Sequence, residues 1–186
     1  MHRRDISTLL LATTAASAAT VPVQHDGGQS CLRPCEPQTT AETAAGVKPA
    51  DTTFPPGDVR RYGVTGDGKT DDTAAIQRAF KVGAAGQLIT FPSNLICKTT
   101  SQLTYYAGPG IIMDTASSYI APHGTGFIAL VIRPAESGSL YGQFSLRVEG
   151  AGQTLNGVYI LNAKDHIYQH LVVNGFDGFE IGRAHV

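Results

Sequence analysis

From Leu88 onward the apolar residues come only in short runs, and that feature narrows the folds open to the chain. Leu88-Ile89 with Phe91, Ile111–Met113, Phe127–Ile132, Phe144–Val148, Val158–Leu161 and Leu171–Val173 are each separated from the next by Gly, Asn, Ser, Asp or Pro. Such runs read as β-strands, and no second helical pattern of useful length interrupts them. Pro92 ends the first strand, because proline has no N–H to give to a ladder. The later runs carry a weak internal repeat. Phe144–Gly150 resembles His170–Gly175, and Leu155–Ile160 resembles Phe176–Ile181. A spacing in the twenties of residues is a solenoid period. A coil cannot bury its inner face alone, so it stacks on a neighbour around a shared core. Leu146, Val148, Leu171 and Val173 are the expected inward residues.

Ahead of the strands lies one helical segment. Val59, Tyr62 and Val64 suggest a short strand-like start, and Thr65-Gly66-Asp67-Gly68 a turn. Thr70 is the expected helix cap, with Asp71 and Asp72 in the first turn, where the helix dipole favours negative charge. Ile76 and Phe80 then share one helix face, and the helix is expected to end near Gly83. Residues 20–57 are rich in Pro, Thr, Ala, Gln and Gly and show no apolar period. They read as a disordered linker, too poor in large apolar groups to offset the entropy of ordering.

Residues 1–19 read as an export signal. His2, Arg3 and Arg4 precede a short run of apolar and small residues, and Ala16-Ser17-Ala18 is a cleavage-like site. The Arg3-Arg4 pair points toward twin-arginine export, although Asp5 and Ser7 flank Ile6; an ordinary secretory signal is the plainer reading. Either route places the mature chain outside the cytoplasm, secreted or periplasmic, with no membrane association after cleavage. Cys31 and Cys35 are then close enough to pair; a zinc half-site is the sharper reading, but no second ligand pair follows. Cys97 lies beside Leu95 and Ile96 and reads as a buried thiol. The formal net charge of -1 gives no reason to expect a nucleic-acid partner.

The stretch from Asp58 to Phe80 holds Tyr62-Gly63, Gly66-Asp67-Gly68, Thr70-Asp71-Asp72-Thr73 and Ala75-Ile76-Gln77. In that order these elements resemble the opening of pectate lyase superfamily domains, which include rhamnogalacturonase-, epimerase- and polygalacturonase-like proteins and some phage tailspikes. The likeness extends over residues 58–179 and departs from the family at Phe91-Pro92-Ser93-Asn94-Leu95, where a Pro-x-Gly-x-Tyr element is usual. It implies an all-β fold, a right-handed, single-stranded parallel β-helix (pectin-lyase-like) with a short N-terminal capping helix. It also implies a secreted protein active on a polysaccharide such as pectin or a related polyuronate, as glycoside hydrolase or lyase. Calcium would enter as cofactor only for a lyase. The Asn-Thr-Asp, Asp-Asp, Gly-His-Gly and Arg-Ile-Lys motifs of family hydrolases find no matching place, and neither does a lyase grouping. Catalytic and metal residues are therefore left unassigned, and no cofactor is assigned.

Several residues invite chemistry and also have plainer readings. Asp67, Asp71 and Asp72 suggest a calcium or acid cluster, but capping and turn roles explain them. His166 and His170, with Asp165 beside them, have metal-like spacing on a helix; in strand and turn they read as solvent-facing. His123 reads as a turn residue. Tyr105, Tyr106, Tyr119, Tyr141 and Tyr168 suit sugar stacking and half-buried strand positions equally. Ile181–Val186 can be encoded by a short-read sequencing adapter. Residues 180–186 are accordingly read as an artefact, and the chain as an N-terminal fragment without the active site. The rival readings are a non-catalytic carbohydrate-binding or adhesion β-helix and a tailspike-like module. Oligomeric state is left open.

Overall fold

The computed structural model describes residues 35–106, 108–133, 142–161 and 167–181. Residues 1–19, expected to form an export signal, Cys31 and residues 182–186 lie outside these. The described chain is mostly β. Nine strands form one curled sheet: β1 (Asp67–Asp71), β2 (Ile89–Phe91), β3 (Ile96–Thr99), β4 (Leu103–Tyr106), β5 (Gly110–Met113), β6 (Tyr119–Pro122), β7 (Ile128–Arg133), β8 (Gln143–Ile160) and β9 (Ile167–Ile181). Every pairing between them is parallel.

The topology explains how parallel strands are joined by short turns. β2, β3 and β4 do not pair with one another. β5 pairs with β2, β6 with β3 and β7 with β4, in the same order. The return to each ladder thus takes about twenty to thirty residues, a solenoid-like period. β8 runs through all three ladders, against β5, then β6, then β7. β9 pairs along β8, and Leu146 meets Leu171 as Val148 meets Val173. These are the four residues that the internal repeat puts inward. Leu146 and Val148 are fully buried, and Leu171 and Val173 pack against the core.

Alternation decides which side chains enter the core. Ile89, Ile111 and Phe144 stack in one ladder, Cys97, Ile120 and Val148 in the second, and Leu103, Leu130 and Val158 in the third. Each buried side chain of this size contributes about 1.5–3 kcal/mol. Where the chain turns, Ser118 ties successive passes together: its Oγ donates to the Pro92 carbonyl (2.6 Å) and accepts from the Leu95 N–H (2.9 Å).

Gly110 opens β5 with φ +123°, and a Cβ there would lie 1.9 Å from the Gln143 carbonyl oxygen. Gly110→Ala therefore forces β5 away from β8. It is expected to cost about 1–3 kcal/mol or more, read as a lower urea midpoint with an unchanged slope.

Helix α2 (Thr73–Ala84) buries Ala75, Ile76, Ala79, Phe80, Val82 and Gly83. The Phe80 ring meets Phe91 and Tyr105 edge-on, and Tyr105 meets Phe144 in the same way. Gln77 completes the docking by imitating a strand: its amide donates to the Thr104 carbonyl (2.7 Å) and accepts from the Thr104 N–H (3.0 Å). Backbone groups of β4 that would otherwise form an open edge are thereby satisfied.

The helix ends within a residue of the expected Gly83, but its start differs from the one expected. Thr70 lies in β1, and α2 begins only at Thr73. Asp71 accepts from the Thr73 N–H and hydroxyl, while the Asp72 carboxylate turns away to the N–H groups of Thr65 and Gly66. The helix runs through Gly83 to Ala84, and Gly86 supplies the left-handed residue beyond it (φ +104°). Gly83 is needed for another reason, since a Cβ there would lie 2.7 Å from the Tyr105 ring. The strand-like start expected at Val59, Tyr62 and Val64 is instead a 3₁₀ turn over Val59–Tyr62 capped by Asp58, whose backbone bridges to Thr90.

The larger correction concerns the linker. Its described part, 35–57, is ordered and packed rather than disordered. Helix α1 (Thr40–Ala44) carries a complete capping box between Thr39 and Glu42, and Val47 joins the core cluster. Apolar burial alone would not hold such a segment. A buried ion pair does, formed by Arg61 and Glu42 at 2.6 Å with both side chains fully buried. The Arg61 guanidinium also donates to the carbonyls of Glu36, Pro37 and Phe54, and the Tyr62 hydroxyl donates to Glu42. Composition could not reveal this, because the stabilising partner lies outside the segment.

Candidate functional site

Alternation also decides what faces outward over the ladder β1-β3-β6-β8-β9. On β8, Leu146 and Val148 point in, so Arg147 and Glu149 point out. On β6, Ile120 points in and Tyr119 out. A solvent-open groove of about 510 Å³ lies across this outer face. Its walls are Gly68, Ile96, Tyr119, Ala121, His123, Glu149, Asn174 and Gly175. It therefore runs across the strands, with each successive strand contributing to its lining.

Arg147 organises one side. Its guanidinium lies 5.5 Å from the Tyr119 ring centroid, pairs with Glu149, and donates to the Thr115 carbonyl at 3.1 Å. Glu149 and Asn174 are paired in register across β8 and β9. His123 follows β6, is exposed, and donates its backbone N–H to the Thr99 carbonyl. The groove thus combines an aromatic ring, small apolar floor residues and three polar side chains. Such a surface suits a flat, hydroxyl-rich ligand.

No protein-family model, no curated protein and no solved structure matches this chain.

The acids singled out in the sequence divide among separate tasks. Asp67 accepts from the N–H groups of Lys69 and Thr70 and from the Thr70 hydroxyl, and these bonds hold its pKa below the ordinary value. For Asp71 partial burial pushes upward, but bonds from Thr100 and Thr73 outweigh it, and its pKa is lowered. For Asp72 burial dominates over the bonds from Thr65 and Gly66, and the neighbouring Asp67 and Asp71 add to it, so its pKa is raised. Opposite effects on stability result. Asp72 holds its proton more tightly folded than unfolded, so its unfavourable contribution is present at neutral pH and disappears as pH falls toward 3.8. Asp71 acts in the other direction, stabilising above 3.8 and losing that contribution as pH falls through its lower folded value. In a carboxyl-carbon NMR titration Asp72 is expected to protonate above 3.8, and Asp67 and Asp71 below it. The reverse order would overturn this assignment.

Among the described residues no group of three or more His, Cys, Asp or Glu is placed to hold a metal. Of the histidine pair with metal-like spacing, His170 is exposed on β9, whereas His166 and the neighbouring Asp165 lie outside the described residues. Cys35 is disulfide-bonded, and Cys97 is a buried free thiol whose pKa burial pushes up to about 12. The tyrosines separate as well. Tyr105 is fully buried with its hydroxyl on Gly110, Tyr106 is exposed, and Tyr119 is half-buried in the groove wall. Tyr141 and the Tyr168 side chain lie outside what is described.

Glu149 is the only carboxylate among the described groove-lining residues. The paired acids of glycoside hydrolysis are not assembled there. Sequence reasoning singled out Tyr119 and His123 but missed Ile96, Glu149, Asn174 and the supporting Arg147. The alternation in Phe144–Gly150 already marked Arg147 and Glu149 as outward. Their position beside Tyr119 depends on the register between β6 and β8, which no local pattern encodes.

Proposed function

We propose that the chain forms coils of a right-handed parallel β-helix related to the pectate lyase superfamily, and that its outer groove binds an extended polysaccharide outside the cytoplasm. The observation that carries this reading is the course of the groove. It crosses five strands, so a linear polymer lying in it meets a new set of side chains at each one. The Tyr119 ring offers an apolar surface to sugar C–H groups, and Glu149, Asn174 and His123 offer partners to hydroxyls. The signal-like residues 1–19 and the disulfide at Cys35 support an oxidising location.

Binding is the reading favoured for the described residues, because only one carboxylate lines the groove. The resemblance at Tyr62–Gln77 supports an enzymatic role for a longer form, as hydrolase or lyase, with calcium needed only by a lyase. Affinity electrophoresis in gels containing soluble polysaccharides tests the binding reading. At least one polymer is expected to retard the protein, and Tyr119→Ala is expected to weaken that binding on the order of tenfold. Absence of retardation by every polymer would sink it. Release of reducing ends, or of unsaturated products seen by absorbance, would instead establish the enzymatic reading.

A further inference from the structure

We infer that the groove takes a neutral glycan and discriminates against polyuronates. The inference rests on the polysaccharide-binding reading and adds the charge class of the ligand. Its basis is the charge arrangement around the groove. Among the described lining residues Glu149 carries the only full negative charge, and His123 is the only basic side chain. Arg147, on β8 between the inward Leu146 and Val148, is not among the described lining residues. It is engaged by Glu149, by the Thr115 carbonyl and by the face of Tyr119. Lys98 is paired in register with Ala121, but it acts electrostatically on Asp71 of β1.

Arg147 and Glu149 engage each other through Glu149 Oε1, and Lys98 acts on Asp71; of these four groups the Glu149 side chain is the one that lines the groove and meets the ligand. A uronate in the groove would set its own carboxylate against Glu149. It would also have to draw Arg147 away from an existing ion pair. Like charges brought together in a partly desolvated groove oppose binding, and the opposition grows as water is excluded. A neutral sugar meets no such cost. Its hydroxyls donate to the Glu149 carboxylate and exchange hydrogen bonds with the Asn174 amide, while its C–H face lies on Tyr119, Ile96 and Ala121.

The test uses the full chain and three probes: a soluble galactan, a mixed-linkage glucan and polygalacturonate. Wild-type protein is expected to bind one of the neutral polymers and to bind polygalacturonate at least about tenfold more weakly. Glu149→Gln removes the carboxylate and frees Arg147, so polygalacturonate binding should rise on the order of tenfold and fall again with added salt. Asn174→Lys, at an exposed position in register with Glu149, places a new cation opposite that carboxylate and should produce the same gain. Tighter binding of polygalacturonate than of both neutral polymers by the wild type would overturn the inference while leaving polysaccharide binding intact. Binding of none of the three would overturn both. Failure of both variants to gain polygalacturonate binding would show that the groove charge does not set the preference, and would overturn the inference alone.

Discussion

Replacing Glu42 with alanine is expected to destabilise the fold by about 3–5 kcal/mol. The cost comes from what is left behind. Arg61 is fully buried, and without Glu42 its guanidinium stays charged in the interior, bonded only to the carbonyls of Glu36, Pro37 and Phe54. The Tyr62 hydroxyl and the Thr39 N–H lose their acceptor at the same time. Replacing both Glu42 and Arg61 with apolar residues should not restore stability. Buried ion pairs can often be exchanged for hydrophobic ones, but here three backbone carbonyls would lose their donor. Urea denaturation of the two single variants and the double variant measures this directly. A loss under about 1 kcal/mol for Glu42→Ala would show that the arm is not held by the pair.

The same group sets an acid limit. Burial works to raise the Glu42 pKa, but the bonds from Arg61, Thr39 and Tyr62 outweigh it and hold it below 4.5. Its stabilising contribution is complete above 4.5 and is lost as pH falls through the lower folded value. Acid should therefore release the segment around α1.

Phe80→Ala is expected to cost a similar amount, about 3–5 kcal/mol. Phe80 is 1% exposed and makes the helix's ring contacts with the sheet core. Its ring lies 5.3 Å from Tyr105 and 6.5 Å from Phe91, and Tyr105 continues the contact to Phe144 on β8. Truncation leaves a cavity that α2 cannot collapse into, because Gly83 already packs its backbone against the Tyr105 ring. The lost edge-on contacts add to the lost apolar burial. A calorimetric melt should show a lower Tm. A change within about 0.5 kcal/mol, as at an ordinary surface position, would mean that the helix is not anchored through this ring.

Much of the β architecture was legible because it is written in local pattern. The runs at Ile111–Met113, Phe127–Ile132 and Phe144–Val148 became β5, β7 and the start of β8, with starts that agree to within a residue. The helix around Ile76 and Phe80 was legible for the same reason. Local rules failed where partners were distant. Asp72 looks like a first-turn acid, yet its carboxylate serves Thr65 and Gly66. Residues 35–57 look like linker because nothing in their composition discloses Arg61. For the groove, Tyr119 and His123 stood out as residue types, but Glu149 and Asn174 did not. Charged and amide side chains on an outward face look alike until their neighbours are known.

By itself the sequence determined where β2, β5, β7 and β8 begin, and that Leu146 and Val148 stack on Leu171 and Val173. Apolar period and turn chemistry are properties of a few consecutive residues, and they survive without knowledge of the rest of the chain. Only the tertiary structure decided that Arg61 gathers the segment before it, and that Tyr119, Arg147 and Glu149 meet on one surface. Those contacts join residues separated by some twenty to thirty positions, and their energies exist only once the intervening chain has closed its turns.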